Sequence, residues 1–135
     1  MEPEGVVDVL RNLLRVLVPG GMVVDLLAVP PNARVEVEGE VLGELDESAF
    51  FPRALASATG LDALVEEGLR AREGDEQRFT VLVRYPSGKD AVEDVAERTY
   101  TRMPAALARR VEAVAGPVAI RESSLVRSFR LVRAV

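Results

Sequence analysis

The chain has 135 residues, 48% hydrophobic and 29% charged, with a formal net charge of -5. These values suit one folded domain spanning 1–135 and exclude a disordered chain. It contains no Cys and no His, which excludes disulfides, thiol nucleophiles, imidazole bases and Cys/His zinc sites, while the acidic balance opposes a general affinity for nucleic acid.

In chain order, Val6, Val9, Leu10, Leu13, Leu14 and Leu17 recur at the spacing of one helix face. They predict a helix over 3–17, with Asp8, Arg11, Asn12 and Arg15 toward water. Pro19 cannot continue a helix interior, Gly20 and Gly21 permit a tight turn, and residues 22–29 are apolar almost throughout. That run reads as a strand covered on both faces and as the centre of the sheet. Pro30-Pro31-Asn32 makes a turn. Residues 34–39 then alternate, Val35 and Val37 against Glu36 and Glu38, and a turn at Gly39-Glu40 leads into a hairpin partner over 41–45. Asp46 or Ser48 caps a helix with Pro52 in its first turn. It continues through Ala54, Leu55 and Ala58, breaks or bends near Gly60, and resumes through Leu61, Leu64, Val65 and Leu69, where Gly68 allows a close approach.

A polar linker over 71–78 precedes the strand 79–85, FTVLVRY, which Pro86-Ser87-Gly88 ends. Ser87 or Asp90 caps a helix over 91–101 with Val92, Val95, Ala96 and Thr99 inward. Met103-Pro104 starts another helix, which buries Leu107, Val111 and Val114 and stops at Gly116-Pro117. Residues 118–135 return as a long strand or a hairpin, with a turn or bulge at Glu122-Ser123-Ser124.

The run Leu14, Arg15, Val16, Leu17, Val18, Pro19, Gly20, Gly21, followed by Met22, Val23, Val24 and Asp25, resembles the RVLKPGG helix-turn-strand of class I S-adenosylmethionine-dependent methyltransferases. Val18 stands where that family has a basic residue. In the family this segment leads into the fifth sheet strand, after the Gly-rich loop and the acidic ribose-binding residue that hold the cofactor. Here thirteen residues precede Leu14 and no G-x-G-x-G follows a strand. The resemblance therefore implies ancestry or architecture and does not imply the activity. The expected fold is α/β, or α+β: a small mixed sheet flanked by helices, like the C-terminal half of a methyltransferase Rossmann-like fold.

Five groups of polar residues invite a chemical reading. Glu36, Glu38 and Glu40, with Glu44 and Asp46, offer carboxylates to a hard cation, but residues two apart on a strand lie in a row and read as a solvated face. Arg121, Arg127, Arg130 and Arg133 offer forks for an anion; Arg130 differs in parity from the other three, and a solvated or edge-protecting role is expected. Ser87 and Lys89 would make a nucleophile pair only with a buried Lys, and they sit in a Pro/Gly turn beside Asp90. Tyr85 and Tyr100 read as half-buried packing residues with wet hydroxyls. Asp25 is a charge inside the apolar strand and needs a partner, for which a nearby Arg is expected.

No catalytic, cofactor-binding or metal-binding residue is assigned, and no cofactor is expected. No apolar run approaches the roughly twenty residues that cross a bilayer, and the acidic start Met1-Glu2-Pro3-Glu4 is the reverse of a secretory leader. A cytoplasmic location follows, with neither membrane nor nucleic acid as partner. Sixteen Arg against the single Lys89, with abundant Ala, Val and Leu, point to a GC-rich bacterial genome. A half-sheet exposes an edge that a second copy can cover. The reading is a non-catalytic methyltransferase-like module acting through homodimerisation or a protein partner. The alternative is a small-molecule-binding protein, or an S-adenosylmethionine-dependent methyltransferase component, with its site formed at an interface.

Overall fold

The computed structural model describes residues 8, 9, 12, 15, 16, 20–65 and 76–130. Their elements run β1 (Met22–Ala28), β2 (Arg34–Val37), β3 (Glu40–Glu44), α1 (Phe51–Val65), β4 (Gln77–Tyr85), α2 (Gly88–Ala96), α3 (Ala105–Glu112) and β5 (Val118–Arg130). The fold is mixed α/β with a five-stranded sheet in the order β1-β5-β2-β3, and β4 also pairs with β5. β2 runs antiparallel to both β3 and β5. β1 does the same against β5, since Val29 donates its N–H to Ser123 O at 3.0 Å while Arg130 reaches Gly20 O. The centre of the sheet is thus β5 and not residues 22–29. β1 ends the order, and its burial alternates, with Met22, Val24 and Leu26 exposed and Val23, Asp25 and Leu27 half-buried. The apolar run concealed this alternation because its outward residues are apolar too.

The chain falls into two compact units, one of residues 1–27, 52–78 and 125–135, the other of 28–51 and 79–124. In the second unit, Ala33, Val35, Leu45, Ala91, Val95, Leu107, Val111, Val118 and Ile120 form one apolar core. β2 and β3 meet through a tight turn in which Glu38 and Gly39 have φ of 51° and 81°. Positive values at both central residues suit the right-handed twist of a two-residue hairpin, so the turn lies one residue earlier than expected. The register shifts between Val35 and Glu36, which leaves Leu42 as the extra residue of a bulge. Leu42 packs on the core, and its carbonyl accepts a hydrogen bond from Arg110 Nη1 at 2.9 Å.

Ser87 caps α2, its Oγ accepting from Asp90 N at 3.3 Å. The helix starts three residues before the expected 91 and ends at Ala96 instead of 101. α3 buries Leu107 and Val111. The two helices meet at Gly88, whose N–H donates to Val114 O at 2.9 Å. A Cβ on Gly88 would stand 1.7 Å from Val111 O; only glycine permits this approach.

In the first unit, Gly20, with φ 86°, turns the chain into β1. α1 runs unbroken through Gly60 with Pro52 in its first turn, as the sequence required of that proline. Ala58, Leu125 and Phe129 are buried there together with Arg127. Asp8, Asn12 and Arg15 are helical and exposed as expected, but so is Val9, which was expected on the buried side. The rest of the first helix, Leu69, Gly68, most of the 71–78 linker and Arg133 lie outside the described residues. β5 is one strand without a hairpin turn at 122–124. Its buried residues change parity, from Val118 and Ile120 to Leu125, Arg127 and Phe129, because each half packs into its own unit.

Candidate functional site

The segment between β3 and α1 is held by reciprocal backbone bonds, Asp46 N to Arg102 O at 2.7 Å and Arg102 N to Asp46 O at 2.9 Å. Asp46 Oδ1 accepts from Ser48 Oγ at 2.6 Å and from Ser48 N at 3.0 Å. These bonds from Ser48, side chain first, hold the Asp46 carboxyl below its ordinary range, and Arg102 adds to them. The Glu47 carbonyl accepts from Phe50 N and Phe51 N and begins α1. With both neighbours anchored, the Glu47 side chain is turned inward and is only 7% exposed.

Glu47 lines a cavity of about 300 Å³ with Phe50, Arg98, Tyr100, Glu122 and Ser123 among its other walls. Oε1 accepts one long hydrogen bond, from Ala33 N at 3.4 Å. Burial pushes the carboxyl above its ordinary value; the Ala33 N–H opposes this, the Glu122 charge adds to it, and Arg98 opposes. Across the cavity Arg98 is engaged on several sides. It donates from Nη1 to Glu122 Oε1 at 2.9 Å and from Nη2 to Tyr85 OH at 3.3 Å, and it lies 3.5 Å from Asp94 Oδ2. Tyr85 OH in turn donates to Asp94 Oδ2. Burial first, and then this bond, raise the Tyr85 hydroxyl, while the same bond lowers Asp94. Tyr85 is therefore bonded into an ionic network and not merely wet.

The residues singled out from the sequence do not converge on one site; two pairs of them meet, Glu36 with Arg121 and Asp25 with Arg127. Among the described residues no group of three Asp, Glu, His or Cys is arranged to hold a metal ion. Glu38, Glu40 and Glu44 are exposed. Glu36, expected to be solvated, instead pairs with Arg121 at 2.5 Å. Arg127 is 5% exposed; its Nε and Nη2 donate to Asp25 Oδ2 at 3.1 and 2.9 Å, and its Nη1 to Asp62 Oδ1 at 3.0 Å. Asp25 thus has the Arg partner its burial demanded. The same contact overturns an edge-protecting role for Arg127, because β5 is not an edge. Arg130 Nη1 donates to Gly20 O at 2.6 Å. Ser87 serves as a helix cap and Lys89 is exposed.

Glu47 and Arg98 were missed by sequence reasoning. Glu47 stands in a polar stretch, DES, where nothing distinguishes an inward carboxylate from the capping residues on either side. No helix among the described residues is long and apolar enough to cross a membrane. No family model matches the chain, and neither curated proteins nor solved structures give a match.

Proposed function

We propose that this chain is a non-catalytic module, methyltransferase-like in its helix-turn-strand, that acts by pairing with a second copy of itself along β1. The observation that carries this reading is the outward row of β1. Met22, Val24 and Leu26 are 49%, 58% and 67% exposed on a strand that ends the sheet order. An edge strand presents open N–H and C=O groups. An uncharged apolar row beside them is self-complementary, as a two-fold interface requires. Two copies that each carry a charge of -5 repel at long range, so an uncharged strip is where they meet at the lowest Coulomb cost. The methyltransferase-like part draws support from local order alone: helical Arg15 and Val16, the turn at Gly20, then β1. The antiparallel neighbours of β1 add nothing to it.

Light scattering tests the pairing. The chain is expected to show twice its 14.6 kDa mass. Leu26→Glu should give a folded monomer, since on the single chain the side chain is already exposed. A parent chain that is monomeric under the same conditions would sink the reading. A second reading, small-molecule binding, is favoured by the cavity at Glu47 and Arg98. Calorimetric titration with S-adenosylhomocysteine separates the two for that cofactor: saturable binding overturns the non-catalytic reading, and a titration without heat leaves it standing.

A further inference from the structure

The wall around Glu47 has an uneven charge balance. Glu47 and Glu122 face Arg98, but Arg98 spends its Nη1 on Glu122 and its Nη2 on Tyr85 and Asp94. Glu47 keeps a single long bond from Ala33 N, and its second oxygen has no hydrogen-bond donor among the described residues. That oxygen is not sealed in the packing, because no fully buried side-chain oxygen lacks a partner; it opens onto free space. A nine-tenths buried carboxylate with one long bond is costly to keep charged, and a positive charge or further donors reaching its open oxygen would offset that cost. The rest of the lining suits an organic cation better than a metal. Phe50 and Tyr100 bring aromatic rings, which attract cations, and Thr99, Thr101 and Ser123 bring hydroxyls that accept N–H groups. Two carboxylates alone do not make an oxygen cage for a metal, and no metal-holding group exists among the described residues.

We infer that this cavity binds a small primary amine carrying one positive charge, its ammonium set between Glu47 and Glu122 and its carbon chain against Phe50 and Tyr100. The volume, about 300 Å³, is at the small end for ligand sites. One positive charge brings the Glu47, Glu122 and Arg98 wall to neutrality. The ligand supplies the N–H donors that Glu47 lacks. All the lining residues lie within the second unit, and among them only Ala28 belongs to β1, so shifts at 47, 98, 100 and 122 report on occupancy.

The test is an amide-resolved NMR titration of the full chain with ethanolamine hydrochloride, with sodium chloride and magnesium chloride at matched ionic strength as controls. Saturating shifts confined to residues 47, 50, 98–101, 122 and 123 are expected with ethanolamine alone. Glu47→Gln keeps the acceptor for Ala33 N but not the charge, and it should weaken binding roughly thirtyfold, as loss of a buried charge partner does. Phe50→Leu, which leaves all the carboxylates in place, should weaken it roughly fivefold. Equal shifts with either inorganic salt, shifts that do not saturate, or full affinity in Glu47→Gln would overturn the proposal.

Discussion

The two units are built on different physical grounds. The second has an apolar core of nine buried residues, four of them on α2 and α3, closed by the contact between Gly88 and the end of α3. The first buries few apolar residues among those described, and a guanidinium, Arg127, sits beside Phe129 and between Asp25 and Asp62. Apolar burial is non-directional and tolerates small shifts, whereas a buried charge demands its partners at fixed geometry. Among the described residues, the second unit is therefore held by shape and the first by a particular set of partners. The first also leaves Met22, Val24 and Leu26 outside, as the second leaves Val41, Phe79 and Val81; what sets the first apart is that its three lie in one row on a strand that ends the sheet order.

The largest expected effect breaks the shape-held unit at its tightest point. Gly88→Ala drives a methyl into Val111 O at 1.7 Å. Backbone cannot yield as a side-chain tip can, so a loss of about 3 kcal/mol or more is expected in urea denaturation. Next comes the charge-held unit. Arg127→Ala leaves two carboxylates together without their cation and should cost about 3 kcal/mol. Within that triad the exposures sharpen the comparison. Asp62 is 52% exposed, so Asp62→Ala should cost under about 1 kcal/mol; Asp25, at 24%, accepts two of the three Arg127 bonds, and Asp25→Ala should cost about 2 kcal/mol. Equal losses for the two would show that burial does not govern the triad.

The smallest effect concerns pH. Glu47 sits above its ordinary 4.5 because burial disfavours its charged form, with the Ala33 N–H and Arg98 opposing and Glu122 adding. Between 4.5 and that raised value, the folded chain holds a proton that the unfolded chain has released. Stability therefore falls as pH rises through this window. Glu47→Gln lacks the dependence and should gain on the parent as pH rises through this window, read as a growing difference in Tm. Asp94 has the opposite sign. Its bond from Tyr85 holds it below 3.8, so its contribution is present above that value and is lost as pH falls through the lowered one. A gap between parent and Glu47→Gln that stays constant with pH would remove Glu47 as the titrating group.

Most local structure was legible because its causes are local. Val35 and Val37 against Glu36 marked a strand, Ser87 a helix start, Pro104 another, and Leu107 and Val111 a buried helix face. The need of Asp25 for a cation was legible as well, since an ionised group in an apolar run is costly wherever the run lies. The identity of the cation was not. Arg127 lies 102 positions away, and its spacing from Arg121 and Arg133 carried no sign of burial.

The sequence by itself determined, to within a few residues, which stretches form strands and helices, which turns need glycine, and that one buried carboxylate must be paired. Those follow from dihedral sterics, side-chain period and desolvation within a few residues. Tertiary structure alone decided that β5 and not β1 is the central strand, that Met22, Val24 and Leu26 face outward, and that Glu47 faces a cavity. An apolar residue has the same period whether the face it lies on is covered or bare, and a carboxylate has the same identity in a loop whether it turns out or in. Only the neighbours brought in from distant parts of the chain distinguish these cases.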